Sequence, residues 1–201
     1  MFKREISLFL LSLLLSPVLV YAGGEVLRQT DKVPAIQEAP QGGDFTLHSA
    51  DGPVALKDLR GKVVLLYFGY TKCPDVCPTS LSFMTQALNE MTEDELAKVQ
   101  GIFVSVDTKR DTVESLKEYA EYFHPSLVGV IGSEQEVAEV AALYGAKYYE
   151  VALEGSAFGY SVNHSAVTYL ITPQGELRFI FPHGTRPSII LEAVRYLLDG
   201  N

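Results

Sequence analysis

The sequence predicts an α/β fold in which a central mixed β-sheet is flanked by helices. Three continuous apolar runs, at 63–68, 102–106 and 127–131, lack the polar alternation of half-exposed strands. Such runs are typical of strands that are covered on both faces. Between the second and third runs, apolar residues recur at helical spacing. Strands that alternate with helices favour parallel pairing in the centre of the sheet.

The composition limits the classes of protein that the chain can form. Its 201 residues and mass of 22.1 kDa suit one ordinary domain. Hydrophobic residues make up 47% and charged residues 20%, which excludes a disordered chain, a collagen-like fibre and a multi-span membrane protein. The net charge is −9, from 16 basic and 25 acidic residues. Such a surface repels phosphate, so no nucleic-acid partner is expected.

The first residues of the chain predict export. Residues 1–22 begin with Lys3 and Arg4, continue through an apolar stretch at 6–20 and end in the small residue Ala22. This is the pattern of a secretory signal peptide that is cleaved after Ala22. The alternative is retention as a short membrane anchor, although a membrane span usually needs roughly 20 apolar residues. An exported protein works where disulfides persist.

A polar segment separates the predicted signal from the domain. Residues 23–43 contain prolines and a glycine pair and show no sustained periodicity, which indicates a flexible leader. The domain itself is predicted to cover 44–201. Its first element is a short β-hairpin with strands at 45–47 and 54–56.

The remaining elements complete the order of a thioredoxin-like fold. Asp111 and Glu114 predict a capping box at the start of a helix at 113–123, and Ser133 with Glu136 predicts another. A strand, its antiparallel partner and a final helix follow, at 166–171, at 177–181 and from Pro187. A parallel core that ends in an antiparallel hairpin and a helix is the thioredoxin-like arrangement, here with an N-terminal β-hairpin extension.

The two cysteines lie between a buried strand and a helix. An apolar stripe with spacings of three and four residues indicates the helix: Leu81, Met84, Leu88 and Met91. Steps of four residues back from this stripe reach Cys77 and then Cys73, which predicts both sulfur atoms on one side of the helix entrance. A helix N-terminus favours thiolate over thiol, and Lys72 adds positive charge. In a helical turn the two Cα atoms would lie about 6 Å apart, within the range of a disulfide.

The spacing leaves a Cys73–Cys77 disulfide and an open pair of metal ligands as alternatives. A stabilising disulfide is the simplest interpretation for an exported protein. However, a loop of only a few residues removes little entropy from the unfolded chain. Pro74 and Pro78 constrain the loop, which favours a positioned functional site over a structural bridge.

His164 is the candidate third metal ligand. Of the four histidines, His48 lies in the first predicted hairpin and His124 lies at a helix end, away from the cysteine loop. His164 directly precedes a strand whose start lies beside the cysteine loop in a thioredoxin-like sheet. Two thiolates and one imidazole suit Cu(I) and can also hold Cu(II). A closed zinc site usually takes a fourth protein ligand.

Three parts of the sequence resemble the signatures of the SCO/SenC family of copper chaperones. The first is similar to the C-P-x-x-C-P signature of that family, and the others are similar to its second and third signatures. In chain order they are YFGYTKCPDVCP at 67–78, VSVD at 104–107 with RDT at 110–112, and NHS at 163–165 with YLI at 169–171 and PQG at 173–175. One departure is Thr108, where the family pattern has proline after the aspartate.

The resemblance implies a thioredoxin-like domain that faces the periplasm, either free or attached to the inner membrane through the N-terminal segment. Cys73, Cys77 and His164 match the copper ligands of the family. The implied task is copper delivery to the dinuclear copper site of cytochrome c oxidase. The expected partners are the copper-receiving oxidase subunit and a periplasmic copper donor or thiol reductant. The expected function is therefore that of a metallochaperone and not of a turnover enzyme.

Two other functions would use the same residues. A thiol–disulfide oxidoreductase that reduces the copper-receiving subunit would use Cys73 and Cys77 as attacking and resolving thiols. The C-x₃-C spacing and the lack of tryptophan differ from a standard thioredoxin, and dithiol exchange does not require His164. A peroxidase of the peroxiredoxin kind could use Thr71 and Lys72 to stabilise peroxide, but it leaves Cys77 and His164 unexplained.

Other polar and sulfur-containing residues have simpler interpretations. Asp75 is interpreted either as a residue that polarises the site or contacts a partner, or as a solvated turn residue. Asp107 is interpreted as a turn residue, with support of the metal site as the alternative. Met84 and Met91 fit core packing because they belong to the apolar stripe of a helix. His183 follows the last strand and is expected to be exposed.

Overall fold

The computed structural model describes residues 40–155 and 159–200. The predicted signal peptide at 1–22 and most of the predicted leader at 23–43 lie outside these residues. Within the described ranges, none of the helices combines the length and the apolar character that crossing a membrane requires.

The strands of the described chain form one larger sheet and two hairpins. They are β1 (Thr46–Ser49), β2 (Gly52–Ala55), β3 (Val63–Gly69), β4 (Val99–Ser105), β5 (Leu127–Val130), β6 (Tyr148–Ala152), β7 (Tyr160–His164), β8 (Val167–Ile171) and β9 (Leu177–Pro182). The larger sheet has the order β5–β4–β3–β8–β9. β3 is parallel to β4, and β4 to β5, whereas β8 is antiparallel to both β3 and β9. The sheet is therefore mixed, as the sequence predicts.

The central strand β3 is buried along its whole length, from Val63 to Gly69. Its neighbour β4 is buried almost as completely. A strand that is covered on both faces needs apolar residues at successive positions, which explains the continuous runs in the sequence. The register pairs Gly69 with Ser105, so β3 and β4 end side by side at one edge of the sheet. The three apolar runs are confirmed as β3, β4 and β5.

The helices of the described chain are α1 (Val76–Asn89), α2 (Glu93–Leu96), α3 (Val113–Phe123), α4 (Glu134–Leu143) and α5 (Pro187–Leu198). α1 packs against α5, and α3 packs against β5. Buried side chains of four helices join the sheet in one core, among them Leu81, Leu116, Val137 and Val194. α5 begins with Pro187, as predicted. The predicted capping box of Ser133 and Glu136 is present at α4.

The start of α3 differs from the sequence prediction. Asp111 and Glu114 do not form its capping box; Thr112 and Ser115 form it, one position later. The carboxylate of Asp111 is buried and accepts a hydrogen bond from the hydroxyl of Thr71 in the cysteine loop. The prediction was wrong because an aspartate three residues before a glutamate has the same sequence pattern whether the aspartate caps a helix or accepts hydrogen bonds inside the fold.

Two hairpins lie outside the larger sheet. β1 and β2 pair antiparallel, which confirms the predicted N-terminal hairpin, and His48 of β1 forms a bridge with Ile131 after β5. The β6–β7 hairpin does not follow from the apolar pattern of the sequence. Its register pairs Tyr148 with His164. Nearly all of its residues are exposed or half-buried, so it lacks an apolar run.

This architecture is the thioredoxin-like fold that the order of elements predicts. A mixed sheet with a parallel centre is flanked by helices, and the hairpin β1–β2 extends it at the N-terminus. The first segment after β3, the first segment after β4 and the start of β8 all lie at the same edge of the sheet, because Tyr67 of β3 pairs with Thr168 of β8.

Replacement of Leu66 by alanine is expected to lower the free energy of unfolding by about 2–5 kcal/mol, since it leaves a cavity in the core. Leu66 is fully buried in β3, between Ile102 of β4 and Tyr169 of β8. Denaturant-induced unfolding measures the loss. Ile180→Ala is the matched control, because Ile180 lies on β9 with 42% of its surface exposed. Equal losses in the two variants would contradict the central position of β3.

Candidate metal centre

The cysteines occupy different positions relative to helix α1. Cys77 lies in the first turn of α1, whereas Cys73 lies in the loop before the helix. The turn that carries Cys73 is therefore not helical, but its sulfur still lies beside that of Cys77 at the entrance of α1. The loop is folded back by a hydrogen bond from the Cys73 N–H to the carbonyl oxygen of Tyr70, 3.2 Å long. This turn brings both side chains to the edge of the sheet.

Gly69, the last residue of β3, makes room for Cys77. A Cβ atom at position 69 would lie 2.6 Å from the Cys77 sulfur and 2.7 Å from the ring of Phe103. A side chain at this position would therefore displace the sulfur. Cys77 is fully buried in this contact, and Cys73 is 9% exposed. Both cysteines are free thiols in this structure.

His164 completes a cluster of three potential ligands, as predicted. It is the last residue of β7, and its Nε2 atom lies 3.2 Å from the Cys77 sulfur and 3.9 Å from the Cys73 sulfur. The ligand atoms of Cys73, Cys77 and His164 all lie within 4.8 Å of one another. Nδ1 of His164 lies 3.3 Å from the carbonyl oxygen of Ser165. Metal binding through Nε2 requires the tautomer that carries its proton on Nδ1, where the carbonyl oxygen of Ser165 can accept it.

The pKa values of the two thiols are shifted in opposite directions from the ordinary value. The hydrogen bond from Cys77 lowers the pKa of Cys73 well below its ordinary value; the hydrogen bond with His164 and two backbone N–H groups act in the same direction, against the effect of burial. Burial raises the pKa of the Cys77 thiol, and the neighbouring Cys73 raises it further. The reduced pair therefore keeps one proton on Cys77 and places the negative charge on Cys73.

Two tyrosines enclose the imidazole of His164. The ring centroids of Tyr67 and Tyr70 lie 6.0 and 5.9 Å from that of His164, with the rings nearly perpendicular. The hydroxyl oxygen of Tyr70 accepts a hydrogen bond from the N–H of Val162, two residues before His164. Burial raises the pKa of both tyrosines, so both stay protonated. Neither tyrosine was predicted to belong to the site.

Asp111 fixes the cysteine loop from the side of β4. Its carboxylate accepts hydrogen bonds from the N–H of Thr71 at 3.0 Å and from the Thr71 hydroxyl at 2.5 Å. It also accepts one from the hydroxyl of Ser105 at 2.7 Å. These bonds to a charged, buried acceptor are stronger than bonds between neutral groups. They hold the backbone two residues before Cys73.

Asp107 is more than the turn residue that the sequence suggests. It is 2% exposed and bonded to Arg110 and to the hydroxyl of Tyr160 at the start of β7. The carboxylate thus connects the loop after β4 to the hairpin that carries His164. One signal in the sequence was available: Asp107 directly follows the apolar run at 102–106, and polar residues in loops after buried strands are candidates for a functional site.

The other candidate residues lie outside the cluster. Lys72 and Asp75 are exposed on the cysteine loop, and Met84 and Met91 are buried in the core, as predicted. The effects that lower the pKa of Cys73 most are hydrogen bonds, not the charge of Lys72.

The remaining histidines do not join the candidate site. His48 belongs to β1, and His124 is buried at the end of α3, where its Nδ1 accepts a hydrogen bond from the N–H of Ser126. His183 is exposed, as predicted, and its Nδ1 lies 2.9 Å from the hydroxyl oxygen of Ser80. His183 therefore offers a matched control for changes at His164.

Comparison with known proteins identifies one family. A family model described as SCO1/SenC matches residues 33–199. The mitochondrial SCO2 homologue of Bos taurus is 37% identical over 84% of this chain, and the mitochondrial SCO1 homologue 1 of Arabidopsis thaliana is 41% identical over 75%. The chain spans 64% and 44% of the lengths of these two relatives.

A solved structure has the same fold and a related sequence. The crystal structure of Arabidopsis thaliana ScoI with copper bound is 35% identical, with a TM-score of 0.70. The match covers 80% of this chain and 99% of that chain. Both the backbone and the sequence of the described domain are thus similar to those of a copper-bound protein.

Iodoacetamide is expected to alkylate Cys73 before Cys77 in the reduced protein, because Cys73 is the more acidic and the more accessible thiol. The rate of Cys73 modification should reach half its maximum at a pH well below the ordinary thiol pKa. Cys77→Ala removes the donated hydrogen bond and should move this midpoint upward. Mass spectrometry of the two peptides measures both rates.

The control variant is Lys72→Gln, which removes the nearest exposed positive charge of the loop and should leave the midpoint almost unchanged. Equal alkylation of Cys73 and Cys77, or a midpoint that does not move in Cys77→Ala, would contradict the assignment of the negative charge to Cys73.

Proposed function

The chain belongs to the SCO1/SenC family, and from that premise we propose that it is a copper-binding metallochaperone in the assembly of cytochrome c oxidase. The observation that carries the proposal is the convergence of Cys73, Cys77 and His164, whose ligand atoms lie within 4.8 Å of one another. The copper bound to the plant relative supports the same assignment.

The donor set favours copper among the common metals. Two thiolates and one imidazole form a soft, low-coordinate set that holds Cu(I) well and also accepts Cu(II). A closed zinc site would usually take a fourth ligand. Binding requires both sulfurs to be deprotonated, so copper displaces the proton that Cys77 holds in the reduced apoprotein. Copper is the cargo of the protein in this account.

The unequal burial of the three ligands suits the transfer of copper to a partner. Cys77 is fully buried, Cys73 is 9% exposed and His164 is half-buried. An incoming ligand of a partner can therefore reach the copper from the side of Cys73 and His164, while Cys77 binds the copper from the interior of the protein. Stepwise exchange of ligands of this kind keeps copper bound throughout the transfer.

The proposed partner is the copper-receiving subunit of cytochrome c oxidase, with a periplasmic copper donor or thiol reductant upstream. We propose that the protein is exported through the segment 1–22 and acts in the periplasm, free or attached to the inner membrane. The functional domain is proposed to be 44–201, after a leader at 23–43. The basic start and the apolar stretch of the segment 1–22 support export.

A second candidate function is the reduction of a disulfide in the copper-receiving subunit. The observation that favours it is the acidic, partly accessible Cys73 beside the buried Cys77, which suits an attacking and a resolving thiol. This function leaves His164 without a task. A peroxidase is disfavoured, because the hydroxyl of Thr71 is already bonded to Asp111.

His164→Ala is expected to weaken copper binding by at least about tenfold. Loss of a residue that only supports a metal ligand already weakens metal binding by about 10- to 100-fold, and loss of a ligand itself should cost no less. The measurement is competition with a calibrated Cu(I) chelator, on reduced protein. His183→Ala is the control and should bind copper as the unchanged protein does. Equal copper affinity of His164→Ala and the unchanged protein would contradict the three-ligand site.

The second function makes a different prediction for the same variant. A thiol–disulfide oxidoreductase should keep most of its reduction rate without His164, since the imidazole supplies neither the attacking nor the resolving sulfur and only helps to lower the pKa of Cys73. The metallochaperone is expected to reduce it slowly and to lose copper transfer in His164→Ala. Rapid reduction by both proteins, measured by thiol labelling of the subunit, would favour the second function.

A further inference from the structure

The two halves of the site belong to separate pieces of the fold. The cysteines follow β3 of the larger sheet, whereas His164 ends the β6–β7 hairpin, which forms a sheet of its own. In the described part of the chain, no backbone–backbone hydrogen bond joins this hairpin to the larger sheet. Two residues join His164 to β8, and apart from this link the hairpin is held against the larger sheet by side chains.

One set of side chains fastens the hairpin to the loop after β4, and we call it the Asp107–Arg110–Tyr160 clasp. The carboxylate of Asp107 accepts hydrogen bonds from Nε of Arg110 and from the hydroxyl of Tyr160, both 2.6 Å long. Nη1 of Arg110 donates to the carbonyl oxygen of Tyr160 at 2.8 Å. The guanidinium carbon lies 3.6 Å from the centroid of the Tyr160 ring.

The clasp is buried enough to be stronger than a surface ion pair. The side chains of Arg110 and Asp107 are 13% and 1% exposed. Charge-assisted hydrogen bonds gain strength where water is excluded. By comparison, the ion pair of Lys109 and Glu150 joins the same loop to the same hairpin, but its side chains are 58% and 45% exposed.

The same loop also holds the cysteines. Asp111, next to Arg110, is bonded to Thr71 of the cysteine loop. The clasp and the Asp111 bonds thus start from adjacent residues and reach the two halves of the site. Tyr70 lies between them, because its ring is 5.7 Å from the Arg110 guanidinium and its hydroxyl is bonded to Val162 of β7.

We propose that Arg110 is a positioning residue for the copper ligand His164, acting through the Asp107–Arg110–Tyr160 clasp. The inference rests on the proposed copper-binding function. Arg110 does not touch the ligand atoms; it fixes β7 at Tyr160, and the strand carries His164 at its other end. Loss of the clasp leaves the cysteine pair in place and releases the hairpin, so that His164 leaves the copper.

Arginine is required for this task because of its shape. Its planar group binds the carboxylate, donates to the carbonyl oxygen and lies over the aromatic ring at the same time. Lysine keeps the charge but cannot make the paired hydrogen bonds or the stack. Arg110→Lys is therefore expected to restore only part of what Arg110→Ala loses.

The first test measures Cu(I) affinity by chelator competition for Arg110→Ala, His164→Ala and the double variant. Arg110→Ala should weaken binding by about tenfold and by no more than His164→Ala does. Because Arg110 acts through His164, the double variant should bind as His164→Ala alone does. Lys109→Ala is the matched control and should change the affinity less than about threefold.

The second test reads the geometry directly. X-ray absorption of the copper-loaded protein should give two sulfur ligands and one nitrogen ligand for the unchanged chain, and the nitrogen should be lost in Arg110→Ala. In the apoprotein, hydrogen exchange of the Val162 N–H should become faster in Arg110→Ala. Tyr160→Phe, which removes one hydroxyl, should show smaller changes in the same direction.

Failure of the inference can be told apart from failure of the proposed function. If the unchanged protein binds copper without a nitrogen ligand, the proposed three-ligand site is wrong. If the unchanged protein has the nitrogen ligand, and Arg110→Ala and Tyr160→Phe keep it together with full affinity, the positioning function of Arg110 is wrong. An additive loss in the double variant, or an equal loss in Lys109→Ala, would also overturn it.

Discussion

The whole site depends on the meeting of three strand ends at one edge of the sheet. β3 and β4 run parallel and end side by side, and β8 starts beside them because it runs antiparallel to β3. The cysteine loop follows β3, and the chain that carries His164 leads into β8. Gly69 then allows Cys77 to lie directly on the end of β3, where a Cβ atom would be 2.6 Å from its sulfur. Pairing of the strands thus brings together residues that are far apart in the sequence.

The parts of the molecule with a strong apolar pattern in the sequence were predictable. The apolar runs gave β3, β4 and β5 because burial on both faces demands apolar residues at every position. The cysteine pair and His164 were predictable because they lie at the ends of such strands, where a thioredoxin-like order of elements places them together. The family resemblance depended on the same residues. Core methionines such as Met84 were also separable from ligands, since their spacing is that of a buried helix face.

The parts that escaped prediction are held by polar side chains or lie at the surface. The β6–β7 hairpin has few buried residues, so no apolar pattern marks it. Asp111 has the sequence pattern of a helix cap but lies inside the fold, where Thr71 binds it. Tyr160, which bonds to Asp107, and Val162, which bonds to Tyr70, lie on the unpredicted hairpin. Long-range polar contacts of this kind depend on tertiary structure and leave no periodic signal in the chain.

The most direct test is a crystal structure of the reduced protein loaded with one equivalent of Cu(I), with anomalous diffraction data collected at the copper edge. We expect a single anomalous peak bonded to both sulfurs and to Nε2 of His164, with the Asp107–Arg110–Tyr160 clasp closed. A copper ion held by Cys73 and Cys77 alone, with His164 turned away, would contradict this expectation. So would a copper ion bound at a different group of residues.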